Sequence, residues 1–421
     1  MSHIDTKCIH GGWRAKNGET QTLPIYQSTT YRYDSADFLG DLFDLSAEGH
    51  IYSRISNPTL VEVEKKINAL EGGVGAMLTA SGQSASLLAV LNICENGDNF
   101  LCSKTVYGGT YNLFFNTLQK FGIEAIVYDQ TAVDSEIISK INEKTKLIFG
   151  ETIANPSLRV FDIERFAKIA HTHNIPLMID NTFPSPALCR PFLYGADIIV
   201  HSTSKYLDGH AVAVGGVIVD SGNFDWEKSG KFGGLSEPDD SHHGVIFTKK
   251  FGKMAYIMKA RAQLLRDTGA IMSPQNAFLL NLNMETLSLR MKRHCENAIA
   301  IAEFLEKHEK VSWVNYPLLK SSKDYDLAKK YLPNGASGVI SFGLKEGRDA
   351  AKKVLENFKL ITMVTHVCDN RTCAVHPAST THRQMNDEQL KNAGVSPEMI
   401  RLSVGIENID DLIEDLKNAL G

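Results

Sequence analysis

The residues best suited to chemistry gather in Ala196-Asp197-Ile198-Ile199-Val200-His201-Ser202-Thr203-Ser204-Lys205-Tyr206. Ile198 to Val200 is a β-branched apolar run and reads as a buried strand. Three hydroxyl residues and a lysine follow it. Open α/β sheets bind ligands at the carboxyl ends of their strands, so an amine there can meet a carbonyl carbon. The hydroxyls of Ser202 and Ser204 can bond a phosphate on the same ligand. A phosphorylated aldehyde, pyridoxal 5'-phosphate, answers both demands. Taken alone, the stretch is more simply a serine-rich turn with an exposed lysine.

Other stretches offer what such a ligand needs. Ser81-Gly82-Gln83-Ser84 follows a predicted strand and opens a helix. Glycine lets a phosphate approach the backbone, and the helix start supplies free N–H groups. Gly72-Gly73-Val74-Gly75 lacks the GxGxxG spacing and no GxxxxGK[ST] occurs, so a single phosphate fits better than a nucleotide. An ordinary strand–helix turn explains the motif equally well. Asp180 ends the predicted strand before that of Lys205. A carboxylate there can keep a pyridine nitrogen protonated, and a turn aspartate is the plainer alternative. Tyr107, before Gly108-Gly109-Thr110, has room to lie flat on a planar ring, or is a turn tyrosine. Arg401, in a predicted strand, can fork an α-carboxylate, though structural arginines are common.

The elements that must position these groups are legible as alternation. Candidate strands are Ala76–Ala80, Asn99–Ser103, Glu124–Tyr128, Lys146–Gly150, Pro176–Asp180, Asp197–His201 and Val212–Val219. Helical patterns such as Asn112–Phe121 and Ile163–His173 lie between several of them. This predicts an α/β fold with a mainly parallel central sheet covered by helices on both faces. Residues 1–57 read as an irregular arm that packs on a neighbouring subunit. Asn57-Pro58 then starts a helix that Gly72-Gly73 stops. Ser221 to Gly252, with Ser236–His243 at its centre, reads as a long loop, functional or mobile. Beyond Pro274 a helical region reaches about Glu309, followed by strands at Trp313–Tyr316, Val339–Phe342, Ile361–Val364 and Ile400–Val404. Helices follow at Arg348–Phe358 and, capped by Asn408, at Ile409–Leu420. The expected division is an arm (1–57), a ligand-binding domain (58–270) and a smaller α+β domain (271–421).

Composition sets bounds. The 421 residues are 43% hydrophobic and 22% charged, ordinary for a soluble globular protein, and are enough for two or three domains. The net charge of -5 comes with no run of like charges, which argues against nucleic acid or an anionic membrane as a partner. The start, Met1 to Trp13, lacks a signal peptide's apolar core. The longest apolar run, Ala211 to Val219, is broken by Gly215 and Gly216 and is too short to span a bilayer. Seven scattered cysteines read as reduced thiols, hence a cytoplasmic protein. Cys368, Cys373 and His376 lack a second cluster, so no metal site is expected.

Several segments together resemble the Cys/Met-metabolism group of fold-type I pyridoxal-phosphate enzymes. They are Tyr52–Thr59, Ser81-Gly82-Gln83, Tyr107–Thr110, Glu151–Pro156, Asp180-Asn181-Thr182, Ser202–Tyr206, His376–His382 and Arg401–Glu407. The resemblance implies that Lys205 bonds the cofactor and moves protons. It implies that Asp180 pairs with the pyridine nitrogen, Tyr107 stacks on the ring and Asn155 bonds its phenolic oxygen. Gly82, Gln83, Ser202 and Ser204 would hold the phosphate, completed by Tyr52 and Arg54 of a neighbouring subunit in a homotetramer of two dimers. Arg401, Asn155 and Ser379 would meet substrate, and Tyr107 or Tyr52 would assist the leaving group. Gly109, where methionine γ-lyases carry cysteine, and the Ser236–Asp239 insertion are most similar to members that replace the acetate of O-acetyl-L-homoserine by sulfide or methanethiol. Methionine γ-lyase and cystathionine γ-synthase chemistries are the alternatives. His366 departs from the family pattern, standing where lyases and cystathionine enzymes have a serine.

Overall fold

The computed structural model describes residues 3–421 except 382, 384–387, 389 and 391–393. A large sheet has seven strands: β1 (Gly75–Thr79), β2 (Asn99–Ser103), β3 (Glu124–Tyr128), β4 (Thr145–Glu151), β5 (Leu177–Asp180), β6 (Ile198–Ser202) and β7 (Gly216–Asp220). Their order is β1-β7-β6-β5-β4-β2-β3. The run from β6 to β3 is parallel. β7 is antiparallel to both β6 and β1. All residues of β1, β2 and β7 are buried, which is why their central residues are consecutively apolar rather than alternating.

Successive residues of one strand enter two different cores. Ile179, Ile199 and Val219 join the larger core with Leu60, Val63 and Ile67 of the helix Pro58–Glu71. That helix begins as expected: Asn57 accepts a hydrogen bond from the Thr59 N–H, Pro58 opens it, and Gly72 closes it at φ +86°. Met178, Ile198, Val200 and Ile218 join the second core with Ala85 and Leu88 of the helix Gly82–Leu91.

Ser221 to Gly252 is not an open loop. It folds into short helical turns whose Trp226, Phe232, Leu235 and Phe247 are buried in the second core. The Trp226 ring stacks on Tyr256 at 5.3 Å. Asp239 anchors the polar centre through Lys259 at 2.8 Å. The aromatic residues follow no helix or strand period, so only their packing reveals them. Likewise the expected helix at Asn112–Phe121 is a wide turn, Leu113–Thr117, followed by a tight one, Leu118–Phe121.

A second sheet contains β8 (Val311–Asn315), β9 (Val339–Leu344), β10 (Thr362–Met363), β11 (Cys373–Val375) and β12 (Met399–Ser403), ordered β10-β11-β12-β9-β8. β11 escaped sequence reading because three residues are too few to show alternation. The helices Pro274–Met284, Leu287–Glu306, Gly347–Asn357 and Ile409–Leu420 accompany it. Asn408 caps the last by accepting from the Asp410 N–H.

The arm is not wholly irregular: it holds the helices Ile4–His10 and Ala36–Phe43 and buries Cys8 and Leu23 in the larger core, and at its end Asn57 Nδ2 donates to the Tyr26 carbonyl at 2.8 Å. Elsewhere it leaves Ile25, Tyr26, Phe43 and Tyr52 exposed. Among the described residues no helix is long and apolar enough to cross a membrane.

If the 221–252 segment is integral to the second core, Trp226→Ala should destabilise the protein by about 3–5 kcal/mol, as for a truncated core aromatic. Urea denaturation followed by circular dichroism measures this, and an unchanged midpoint would mean the segment is dispensable.

Candidate active site

The parallel strands end level with one another. Glu151, the last residue of β4, is in register with Asp180, the last of β5, and Asp180 with Val200 of β6. Lys205 follows in the turn after β6. Above these ends lies a cavity of about 460 Å³. Gly82, Gln83, Tyr107, Asn155, Asp180, Ser202, Ser204, Lys205 and Arg401 all line it, from segments up to three hundred positions apart in the chain.

One end of the cavity is a donor cradle. The helix Gly82–Leu91 starts there, capped by Ser81 Oγ, which accepts from the Ser84 N–H. The N–H groups of Gly82 and Gln83 precede the helix's own bonding and are left for a ligand. A Cβ on Gly82 would lie 2.6 Å from Ser202 Cβ, and one on Gly216 would lie 2.2 Å from the Ser81 carbonyl oxygen. Only glycine lets these backbones meet. Ser204 Oγ accepts from the Gly215 N–H at 3.0 Å, which fixes the turn beside the cradle. A phosphate fits this set of donors.

The floor carries two acids. Burial pushes the Asp180 carboxyl above its ordinary value, partly opposed by hydrogen bonds from Thr182. Burial, and then the neighbouring Asp180, push Glu151 well up. Glu151 also accepts from the Tyr107 N–H at 2.6 Å and the Asn155 N–H at 3.3 Å. Two buried carboxyls side by side resist double ionisation. A cationic ring N–H is the partner that would let Asp180 ionise. Tyr107 is half-exposed at the rim. A Cβ on Gly109 would come 2.5 Å from its ring, so the glycine is what lets the ring lie there.

The opposite wall carries two cations. Arg401, on β12, is 6% exposed. Its Nη1 donates to Asn155 Oδ1 at 3.3 Å and its Nη2 to the Thr365 carbonyl at 3.1 Å. Its Nε is buried with no partner, a donor that a carboxylate can take. Lys205 Nζ lies 3.5 Å from His366 Nδ1. Burial holds this amine below its ordinary value; the Arg401 charge adds to that, and the Cys368 thiol opposes it.

Three expected residues do not reach the cavity lining. Tyr52 and Arg54 lie on the arm, with the guanidinium 5.4 Å from the Tyr52 ring centre and donating to the Arg266 carbonyl. Ser379 Oγ pairs with His376 Nδ1 at 2.8 Å. His382 lies outside the described residues. The 236–243 segment is also absent from the lining. Glu151 also lines the cavity; the sequence reading placed it in a matching segment but gave it no role. Its signal is an acid at a predicted strand's carboxyl end, beside the strand of Asp180.

An amine, a phosphate cradle, an acid for a ring nitrogen and a buried guanidinium with one unpartnered N–H, set on this sheet, define a fold-type I pyridoxal-phosphate enzyme. The chain belongs to the Cys/Met metabolism PLP-dependent enzyme family, which matches residues 5–421. It is 46% identical to the O-acetyl-L-homoserine sulfhydrylase of Leptospira meyeri, over 99% of this chain and 96% of that protein. It is 45% identical to the homocysteine synthase of Schizosaccharomyces pombe, over 99% and 98%. A Campylobacter jejuni protein assigned as an O-acetylhomoserine (thiol)-lyase superposes with a TM-score of 0.96 at 38% identity, covering both chains fully. That crystal structure carries N'-pyridoxyl-lysine-5'-monophosphate at its position 205.

Only the unprotonated amine attacks an aldehyde. With Lys205 lowered from 10.5, the apoprotein's rate of pyridoxal-phosphate uptake should reach half its maximum at a pH below that value. Stopped-flow absorbance across pH measures it, and a midpoint at or above the free-lysine value would contradict the burial argument.

Proposed function

We propose that the protein replaces the acetate of O-acetyl-L-homoserine by sulfide or methanethiol, giving L-homocysteine or L-methionine. The observation that carries this reading is the unpartnered, buried Nε of Arg401 in the same cavity as the Lys205 amine. An amino acid offers the carboxylate for one and the reacting carbon for the other. The choice of substrate is supported by relatives named for O-acetylhomoserine and homocysteine chemistry.

Gly82, Gln83, Ser202 and Ser204 would hold the phosphate, and Lys205 Nζ would hold the aldehyde carbon. Asp180 would keep a proton on the ring nitrogen, with Tyr107 and Asn155 holding the ring from the same cavity. Pyridoxal phosphate, when bound, supplies an electron sink for protons leaving carbon. Arg401 fixes the substrate carboxylate so that its Cα–H faces Lys205. Lys205, as a free amine, would be placed to move protons at Cα and Cβ one at a time, before and after the thiol adds. The residues 1–57 arm, with its exposed Tyr52 and Arg54, serves the cavity of a neighbouring subunit in a homotetramer. Seven buried free thiols are consistent with the cytoplasm.

A substrate panel tests the reaction: O-acetylhomoserine, O-succinylhomoserine, O-acetylserine and methionine, each with sulfide and with cysteine, products identified by mass. Homocysteine from the first with sulfide is expected, and Lys205→Ala should fold yet lose both turnover and the yellow absorbance of lysine-bound cofactor. Cystathionine, or α-ketobutyrate from methionine, as the main product would replace this reading with a sister reaction.

The shared site has its own test. Arg54→Ala should retain cofactor poorly, and mixed with Lys205→Ala it should regain activity, because one cavity in a hybrid dimer is intact. No regain after subunit exchange, verified by mass, would refute the arm's role.

A further inference from the structure

One side chain holds two loops of the cavity at once. Glu151, the last residue of β4, is 6% exposed and lines the cavity together with Tyr107 and Asn155. Its Oε1 accepts from the Tyr107 N–H at 2.6 Å and its Oε2 from the Asn155 N–H at 3.3 Å. The Tyr107 loop follows β2 and the Asn155 loop follows β4, strands that pair side by side. No side chain caps the short helix that Tyr107 opens, so the carboxyl is what fixes that N–H. Asn155 is tied a second time, its Oδ1 accepting from Arg401 Nη1 at 3.3 Å. Its amide nitrogen, a donor, is then left for a ligand oxygen.

Satisfying two backbone N–H groups does not by itself call for an acid. Backbone carbonyls do it elsewhere in the fold, and a carboxyl buried beside a second one carries a cost. What a carboxyl adds is two acceptor atoms on one rigid plane. Loops that each take one of those atoms keep a fixed separation.

We propose that Glu151 is a positioning residue for the cofactor ring: its two oxygens clamp the Tyr107 loop to the Asn155 loop and so set the seat in which the ring lies. This rests on the reading that Tyr107 and Asn155 hold the ring, and it does not depend on which substrate follows. Glu151 acts through those two residues and takes no part in the proton steps. Because Asn155 also bonds Arg401, the clamp reaches from the ring's seat to the guanidinium on the second sheet.

The test reads the cofactor rather than turnover. Wild type, Glu151→Gln and Glu151→Asp, stripped of cofactor, are titrated with pyridoxal phosphate. Absorbance gives the dissociation constant. Visible circular dichroism per bound cofactor reports how firmly the ring is fixed, because a flat ring gains that signal from fixed surroundings. Gln keeps the length but turns an amide donor on one of the N–H groups, and Asp is too short to reach both. Each should raise the dissociation constant about tenfold, as for one charge-assisted hydrogen bond lost, and lower the dichroism. In a Tyr107→Ala, Asn155→Ala background, itself a weaker binder, the same changes should cost less than about twofold, since the groups they position are gone. An equal loss in both backgrounds, or none in either, would overturn the clamp and leave the roles of Tyr107 and Asn155 standing. A background that binds and fixes the cofactor as wild type does would overturn the clamp together with those roles. Urea midpoints check the fold: if one variant fails to fold the other carries the comparison, and failure of both would overturn the clamp by making Glu151 a residue of the fold itself.

Discussion

Lys205 and Arg401 are two basic side chains buried at one cavity, and among the described residues no carboxylate is prominent among the groups acting on either. Buried charge without a counterion is costly, and proteins usually relieve it by pairing. Here the acids at the strand ends are already engaged. Asp180 accepts from the Thr182 N–H, and Glu151 from the N–H groups of Tyr107 and Asn155. The fold thus keeps cations and acids from neutralising each other. What completes the site electrostatically is a ligand with an anionic end, a cationic ring nitrogen and a carbonyl carbon.

The sheet sets where these groups meet. Parallel strands deliver β4, β5 and β6 to the same edge, so Glu151, Asp180 and Lys205 arrive together. β7 then runs back against β6, and its first residue, Gly216, lets the Ser81–Gly82 backbone close over the cradle. Each strand feeds one core from its odd residues and the other from its even ones, so the strand ends are held from both faces. Arg401 comes from the second sheet. The unpartnered guanidinium N–H and the strand-end groups are therefore set by different sheets, and their mutual placement decides what fits between them.

Much of this was legible in the residues. The apolar runs marked the large sheet's strands to within a few residues, because burial on both faces leaves a strong local signal. Asn57-Pro58 and Asn408 marked helix starts because a cap is a local hydrogen bond. The 221–252 segment was misread because its aromatic residues are spaced for a surface that only the folded sheet presents. β11 was missed because its pairing with β12 is a long-range fact. Tyr52, Arg54 and Ser379 carry family motifs yet stand away from the cavity lining of a single chain.

The sequence by itself determined which groups are available and where each lies along its own element: an amine, an acid and a glycine-led helix at strand ends, a guanidinium within a strand. These follow from periodicity and capping, whose forces act within a few residues. Only the tertiary structure decided which groups face one another. The coupling of Glu151 to Asp180, the orphaned Nε of Arg401 and the approach of His366 to Lys205 all join segments far apart in the chain. They depend on burial and distance in three dimensions, which no local pattern encodes.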